Sequence, residues 1–175
     1  MKIKVFEAFA GYGGASFGLK RLKENMPELE YEVVGYSEFD KYASKLFDAN
    51  HKDKDGNPYK NWGDITKIDP NELPDFDMFM GGFPCQPFSS AGMQKGFQDT
   101  RGTLFFEIVR VVEKKRPKVI FLENVANLLG HDDGKTFLTI YNALVPFGYS
   151  FKYQVMDALD YGNIPQRRSR IFIVA

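Results

Sequence analysis

The single cysteine of this chain, Cys85, lies in the stretch MGGFPCQPFSSAG, residues 80–92. Pro84 and Pro87 flank it, two glycines precede it, and the apolar run FDMFM before them predicts a strand. We therefore expect the thiol on an irregular loop at the carboxyl end of a strand, where catalytic groups are commonly displayed. A lone cysteine is usually a small buried apolar residue. On this loop, however, a thiolate would be a strong nucleophile if its pKa were lowered.

Carboxylates follow two other predicted strands. Glu123 comes directly after VIFL and is expected at the same end of the sheet as Cys85, although a solvated acid at a strand end is the simpler interpretation. Glu38 ends the predicted strand YEVVGYS. A carboxylate there can accept hydrogen bonds from both ribose hydroxyls of an adenosine-containing cofactor, and Phe39 beside it could stack on the adenine.

A glycine-rich loop, FAGYGG, spans Phe9–Gly14 between the first predicted strand and the first helix. Its glycines at Gly11, Gly13 and Gly14 would let the backbone approach a ligand closely. A tight strand-to-helix turn with no ligand is the alternative. A dinucleotide fingerprint would have a third glycine where this chain has Ser16, so the pattern does not specifically favour a pyrophosphate.

The periodicity of apolar residues predicts the elements that position these groups. Asp40 is expected to cap the second helix. Strands are predicted at residues 2–9, 31–37, 76–80, 119–122 and 170–174. Four sets of residues have helical spacing: Ala15, Leu19 and Leu22; Tyr42, Ala43, Leu46 and Phe47; Leu104, Phe105, Ile108, Val111 and Val112; and Phe137, Ile140, Tyr141 and Leu144.

Strands that alternate with helices predict an α/β fold with a doubly wound, mostly parallel sheet. The segment from Tyr149 to Val155 alternates apolar and polar residues, as a half-exposed strand does. We therefore expect the last two strands to pair antiparallel at one edge of the sheet. A length of 175 residues is typical of one domain, here residues 1–175.

Composition excludes several other classes. The 23 basic residues match 23 acidic ones, so the chain lacks the excess of positive charge that is typical of a protein that binds nucleic acid on its own. One cysteine cannot form an internal disulfide, and no Cys/His cluster has zinc spacing. The segment HKDKDGNPYKN has Pro58 where a calcium loop requires glycine, so no metal is expected. No apolar stretch is long enough for a membrane span, and we expect an intracellular protein, cytoplasmic if bacterial or phage-encoded.

Seven segments, taken in order, resemble the successive sequence blocks of the DNA cytosine-5 methyltransferases. They are FAGYGG, YSEFDKYA, GDIT, GGFPCQPFS, DTRGTLFFEI, LENV and DYGNIPQRRSRIFIV. Each is short, but together in this order they are highly specific, and the resemblance spans nearly the whole chain. It implies the Rossmann-like fold of S-adenosylmethionine-dependent methyltransferases, with that cofactor, with DNA as substrate and with a place in DNA methylation or restriction–modification.

The resemblance also implies a mechanism. The Cys85 thiolate would add to carbon 6 of a cytosine flipped out of the duplex, and carbon 5 would then take the methyl group. Glu123 would bind the exocyclic amine and ring nitrogen 3. Arg170 would bind the carbonyl oxygen of the base, and Arg168 would stabilise charge nearby. A solvated basic strand end is the alternative for these arginines.

Three further cofactor positions come from the resemblance. Asp64 would contact the amino group of adenine, Ile65 its ring, and Leu104 the methionine portion. Core packing is the alternative role of Ile65 and Leu104.

Four substrate positions come from the same resemblance. Pro84 and Gln86 would frame the base pocket and the gap left in the duplex. Ser89 would touch the DNA backbone, and Asn124, in the block LENV, is assigned to substrate binding.

Full-length relatives continue past these blocks into a target-recognition region and two more blocks, whereas this sequence ends at Ala175. We therefore expect a second chain or a further segment to supply target recognition and the final helix. The chain would then be the catalytic part of a split or larger enzyme, or a truncated remnant. Two other functions stay open: a noncatalytic module that binds the cofactor or a partner, and an RNA cytosine methyltransferase.

Overall fold

The computed structural model describes residues 2–84 and 104–175. Within them, six strands form one mixed sheet in the order β2-β1-β3-β4-β6-β5. The elements in chain order are β1 (Ile3–Ala8), α1 (Gly14–Asn25), β2 (Tyr31–Ser37), α2 (Lys41–Asn50), β3 (Met78–Gly82), α3 (Leu104–Lys115), β4 (Val119–Val125), α4 (Lys135–Leu144), β5 (Lys152–Asp157), α5 (Ala158–Tyr161) and β6 (Ser169–Val174).

The pairing of the strands confirms the predicted fold class. β1 lies parallel to both β2 and β3. β6 runs antiparallel to β4 on one side and to β5 on the other, so the two last strands form the antiparallel edge that the alternation predicted. The described residues divide into two compact units. The first contains residues up to Gly82 with Lys114–Ile120, and the second contains the described part of Phe83–Glu113 with Phe121–Ala175.

In the first unit, aromatic side chains fill the core around β1. Phe6 stacks on Phe76 with ring centroids 5.3 Å apart, and Tyr36 of β2 stacks on Phe47 of α2 at 3.8 Å. Asp40 caps α2 as predicted, because its carboxylate accepts hydrogen bonds from the first free backbone N–H groups of that helix. These contacts fix the ends of β1 and β2, from which the cofactor candidates extend.

In the second unit, strict alternation along β4 and β6 gives each strand one buried and one more open face. Leu122 and Asn124 of β4 are buried, as are Ile171 and Ile173 of β6. The intervening residues, which include Glu123, belong to the more open face. The sequence-predicted stripe of α3 is also confirmed, since its residues from Phe105 to Val112 supply buried side chains.

Two kinds of detail differ from the sequence predictions. Glu123 lies inside β4 rather than after it, because the strand continues to Val125. Leu22 belongs to the predicted apolar stripe of α1, and Tyr42 and Leu46 belong to that of α2, yet all three side chains are exposed. Helical spacing locates the apolar stripe of a helix but does not show how much of the width of that stripe other elements cover.

In the part of the chain that the structure describes, no helix is long and apolar enough to cross a membrane.

Candidate active site

The glycine loop after β1 forms a tight turn in the first unit. The Gly13 N–H donates to the Ala10 carbonyl oxygen at 2.7 Å, so Gly11 and Tyr12 are the two central residues. Gly11 has a φ of +55°, a backbone conformation that glycine adopts readily and other residues rarely adopt. A Cβ added at Gly11 would have no atom within 4 Å, so the turn leaves open space for a ligand.

Glu38 reaches this loop directly. The parallel register of β1 and β2 places Ala8 beside Ser37, so both strands end at the same edge. One carboxylate oxygen of Glu38 accepts the Gly11 N–H at 2.9 Å, and the other accepts the Asp40 N–H at 2.8 Å. Each oxygen can accept more than one hydrogen bond, so ribose hydroxyls can still be bound there. Two features that the sequence singled out separately are therefore in contact.

The other predicted cofactor residues of the first unit differ in how open they are. Phe39 is 81% exposed, which leaves its ring free to stack on a ligand. Phe9 begins the loop with a positive φ of 53°. Asp64 caps a short helical turn through its bonds to Thr66. Ile65 is only 3% exposed, so most of its side chain packs inside the protein. Leu104, in the second unit, is the first residue of α3 and is half-buried.

A buried acid that the sequence analysis missed holds the start of α1. Glu7 of β1 is 2% exposed, and its carboxylate accepts the Ala15 N–H at 3.2 Å and the Ser16 N–H at 3.1 Å. It also accepts a hydrogen bond from the hydroxyl of Ser16, the residue that stands where a dinucleotide fingerprint would have its third glycine. Burial raises the pKa of Glu7 to about 7, although the bonds from Ser16 and Ala15 oppose the shift. An acid in an otherwise apolar strand was the signal available in the sequence.

The raised pKa of Glu7 predicts a pH-dependent stability. Unfolded Glu7 loses its proton near pH 4.5, whereas the folded protein keeps it until about pH 7. Protonated Glu7 therefore contributes its full stabilisation of the folded protein below pH 4.5, and this contribution is lost as the pH rises to 7. The free energy of unfolding of the wild type, minus that of Glu7→Gln, should fall by about 3 kcal/mol over this interval. Urea unfolding of both proteins between pH 4.5 and 8 measures this difference.

An exposed acid provides the matched control for that titration. Glu24 lies on α1 and pairs with Arg21 at the surface. The free energy of unfolding of Glu24→Gln should differ from that of the wild type by less than about 0.5 kcal/mol at any pH between 4.5 and 8, since surface substitutions have small effects. A difference for Glu7→Gln that does not vary with pH would show that the carboxyl does not titrate as proposed.

In the second unit, Glu123 and Arg170 form an ion pair. They lie diagonally across β4 and β6, since Glu123 is opposite Phe172 and Arg170 is opposite Val125. The Arg170 Nε atom is 2.7 Å from a carboxylate oxygen of Glu123, and both side chains keep some exposure, 21% and 33%. The antiparallel pairing thus brings together two residues that are 47 positions apart in the sequence. A half-exposed carboxylate beside a guanidinium offers both acceptors and donors to a planar polar ligand.

The turn before β6 holds Arg168. Its backbone N–H donates to a carboxylate oxygen of Asp157 at 3.3 Å, while Asp157 also accepts the Ser169 hydroxyl at 2.6 Å and the Leu159 N–H at 3.0 Å. These hydrogen bonds lower the pKa of Asp157, and the bond from the Ser169 hydroxyl has the largest effect. The Arg168 side chain is exposed. Asp157 was not singled out by the sequence analysis, because its role depends on a turn 11 residues further on.

Asn124 points away from Glu123, into the buried face of β4. It is 3% exposed, and its amide nitrogen donates to the Phe83 carbonyl oxygen at 2.9 Å. In this arrangement Asn124 fixes the backbone beside Pro84, which is exposed. Its role in substrate binding stays a prediction. The predicted residues Cys85, Gln86 and Ser89 lie outside the residues that the structure describes.

Comparison with known proteins decides the family. The model of the C-5 cytosine-specific DNA methylase family matches residues 3–175. The chain belongs to this family. The family predicted from the seven sequence blocks is therefore confirmed, and so is the cofactor at the level of the family, which uses S-adenosylmethionine as methyl donor.

Two curated members show how much of a family protein this chain spans. The type II methyltransferase M.SsoII of Shigella sonnei is 45% identical over 173 residues, which are 99% of this chain and 42% of that protein. M.HhaI of Haemophilus parahaemolyticus is 42% identical over 172 residues, 98% of this chain and 48% of that protein. The chain therefore spans about half the length of the curated relatives it matches.

A solved structure supports the fold. The Dnmt2 methyltransferase of S. pombe superposes with a TM-score of 0.73 at 22% sequence identity. The match covers 99% of the chain described here and 49% of the Dnmt2 chain. At this identity the likeness concerns the architecture alone, the mixed sheet with helices described above.

Proposed function

We propose that this chain is the catalytic part of a DNA cytosine-5 methyltransferase. The observation that carries the proposal is the Glu123–Arg170 ion pair, at 2.7 Å and partly exposed, within the sequence blocks of a confirmed family member. Cytosine presents a carbonyl oxygen, a ring nitrogen and an amine along one edge. A carboxylate and a guanidinium on neighbouring strands match that edge.

Each of these groups has a specific task at the base. The Glu123 carboxyl accepts a hydrogen bond from the exocyclic amine and donates a proton or a hydrogen bond to ring nitrogen 3, which offsets the negative charge that develops on the ring during nucleophilic attack. The Arg170 guanidinium donates to the carbonyl oxygen, and its contact with Glu123 orients both side chains. Arg168 stabilises the charge of the same region from the turn before β6.

The proposed nucleophile is the Cys85 thiolate. Its sulfur would form a bond to carbon 6 of the cytosine as the electron pair of the 5,6 double bond moves toward carbon 5. Carbon 5 would then take the methyl group from the sulfonium sulfur of the donor, and the electron pair of that broken bond would stay on the sulfur as S-adenosylhomocysteine leaves. A base, for which water is a candidate, then removes the proton from carbon 5. The electron pair of that C–H bond re-forms the double bond between carbons 5 and 6, and the thiolate leaves. The product is 5-methylcytosine, and the cysteine is regenerated.

Attack on carbon 6 comes from above the plane of the base, so a stacked cytosine must leave the duplex. In our proposal Pro84 and Gln86 line the pocket and the gap, while Ser89 contacts the DNA backbone. The bond between Asn124 and the Phe83 carbonyl anchors the backbone two residues before the nucleophile. Asn124 would in this way support substrate binding indirectly.

The residues at the glycine loop fit an adenosine-containing cofactor. The open space at Gly11, the Glu38 carboxylate beside it and the exposed Phe39 ring supply room, hydrogen-bond acceptors and a stacking surface. Bound S-adenosylmethionine supplies an electrophilic methyl group. Gly13, Gly14 and the loop's first residue, Phe9, shape the backbone. The remaining proposed contacts are those of Asp64, Ile65 and Leu104.

A further segment or a second chain would complete the enzyme by supplying target recognition and the final helix. The support for this is twofold: the chain spans about half of its curated relatives, and its formal net charge is zero. Phosphate contacts normally come from clustered basic residues. We infer that many of the residues that contact the DNA phosphates lie outside this chain.

The test is formation of 5-methylcytosine from tritiated S-adenosylmethionine and duplex DNA, with and without candidate partner chains. Transfer to DNA supports the proposal, and dependence on an added chain supports the split arrangement. Transfer to RNA in preference to DNA would instead assign the RNA reaction. Binding of the cofactor without transfer to either nucleic acid, even with a chain that complements other family members, would favour a noncatalytic module.

A further inference from the structure

We propose that His51 is a positioning residue for the cofactor-binding glycine loop. It fixes the Tyr12–Gly13 peptide through its ring N–H and fills the space that glycine leaves at position 13. The inference rests on the proposed function, because it assumes that the methyl donor binds at this loop.

His51 follows α2 directly and is held there by its own backbone. Its N–H donates to the Phe47 carbonyl oxygen at 2.8 Å, as the residue after a helix often does. The imidazole is buried, with the whole residue 8% exposed. The ring packs edge-to-face with Phe17 at a centroid distance of 4.4 Å and lies 4.7 Å from the ring centroid of Phe47. These contacts fix the orientation of the ring.

One ring nitrogen reaches the loop. His51 Nε2 lies 3.1 Å from the carbonyl oxygen of Tyr12. Because a carbonyl oxygen can only accept, Nε2 must carry the proton and donate. Burial lowers the pKa of His51, which favours the neutral ring whose single N–H makes this bond.

Gly13 and His51 fit one another closely. Gly13 has a φ of +89°, which side chains rarely adopt. A Cβ built there would lie 2.2 Å from His51 Nε2 and 2.4 Å from the neighbouring ring carbon. The histidine thus occupies the volume that the side chain of any other residue at position 13 would need.

Three side chains from separate parts of the first unit therefore hold different peptide groups between Ala10 and Ser16. Glu38 binds the Gly11 N–H, His51 binds the Tyr12 carbonyl, and Glu7 binds the N–H groups at the start of α1. The Gly13 N–H is meanwhile used inside the turn by the Ala10 carbonyl. Without His51, the Tyr12–Gly13 peptide would keep its turn bond but lose the anchor on its carbonyl side.

The test compares two amides that differ in reach. The Nε2 of glutamine can occupy nearly the position of the histidine Nε2, whereas asparagine is one methylene shorter. We expect His51→Gln to bind S-adenosylmethionine within about threefold of the wild type. His51→Asn should raise both its Kd and its KM by about tenfold, the effect of one lost hydrogen bond. The kcat at saturating cofactor should change less than threefold in both variants.

A second readout needs no cofactor. Hydrogen exchange at residues 11–16 of the cofactor-free protein should be faster in His51→Asn than in His51→Gln, while both variants lose the same aromatic packing. Equal exchange and equal cofactor affinity in the two variants would overturn the inference, because a purely structural role makes them alike. If the wild type itself bound no S-adenosylmethionine, the proposed function would fail, and the exchange experiment would still test the anchor.

Discussion

Replacement of Cys85 by alanine is expected to lower methyl transfer by at least about 10⁴-fold, as for other covalent nucleophiles whose loss removes the reactive atom. The measurement with the clearest outcome uses duplex DNA that contains 5-fluorocytosine. Fluorine at carbon 5 cannot leave as a proton does, so a competent thiolate stays attached to the methylated base. Because the chain has one cysteine, a labelled covalent adduct can be assigned to a single atom.

A neighbouring residue of the same segment is the matched control. Ser89→Ala removes a hydroxyl proposed to contact the DNA backbone but leaves the nucleophile in place, so its adduct should still form. Both variants should bind S-adenosylmethionine as the wild type does. Unchanged formation of 5-methylcytosine by Cys85→Ala would eliminate the proposed mechanism through Cys85, since this chain has no other thiol.

Replacement of Glu123 by glutamine is expected to slow methyl transfer by about 10²–10⁴-fold, the usual contribution of a positioned acid–base group. The amide has no acidic proton to give to ring nitrogen 3 of the attacked base, and the variant loses the ion pair with Arg170. Stability should change by no more than about 1 kcal/mol, because a partly exposed ion pair contributes little. Single-turnover rates at saturating cofactor and DNA, together with thermal unfolding, separate the two effects.

The chain offers a second ion pair for comparison. Glu107 and Arg110 of α3 are also 2.7 Å apart and partly exposed. Glu107→Gln should therefore cost a similar amount of stability while the rate stays within about threefold of the wild type. Equal losses of rate in Glu123→Gln and Glu107→Gln would mean that Glu123 acts only through folding.

Sequence patterns were sufficient for features that depend on local order. The glycine loop and Glu38 each follow a strand with a clear apolar run, and parallel strands bring their carboxyl ends to one edge. The contact between Gly11 and Glu38 follows from those two facts and is observed. Similarly, the alternating apolar residues near Val155 were enough to predict the antiparallel edge.

Features that depend on distant partners could not be predicted in this way. His51 is 39 residues from the carbonyl it binds, and nothing in the flanking helix distinguishes it from an ordinary capping residue. Asp157 acts on a turn beyond α5. Glu7 could have been noticed as an acid in an apolar strand, but its partner Ser16 was considered only as a missing glycine. Periodicity also failed to show that Leu22 is exposed, because the edge of an apolar stripe depends on what packs against it.

The position of Arg170 within β6 has an entropic consequence. Arg170 lies opposite Val125 of β4 on one side and Met156 of β5 on the other, so it belongs to a strand that is paired along both of its edges. Fixing the backbone of one residue costs roughly 1–2 kcal/mol, and here folding has already met that cost. The side chain is also restrained by Glu123. In the proposed reaction, an arriving base would therefore meet a guanidinium with little conformational freedom left to lose, and more of the binding energy would be available for the reaction.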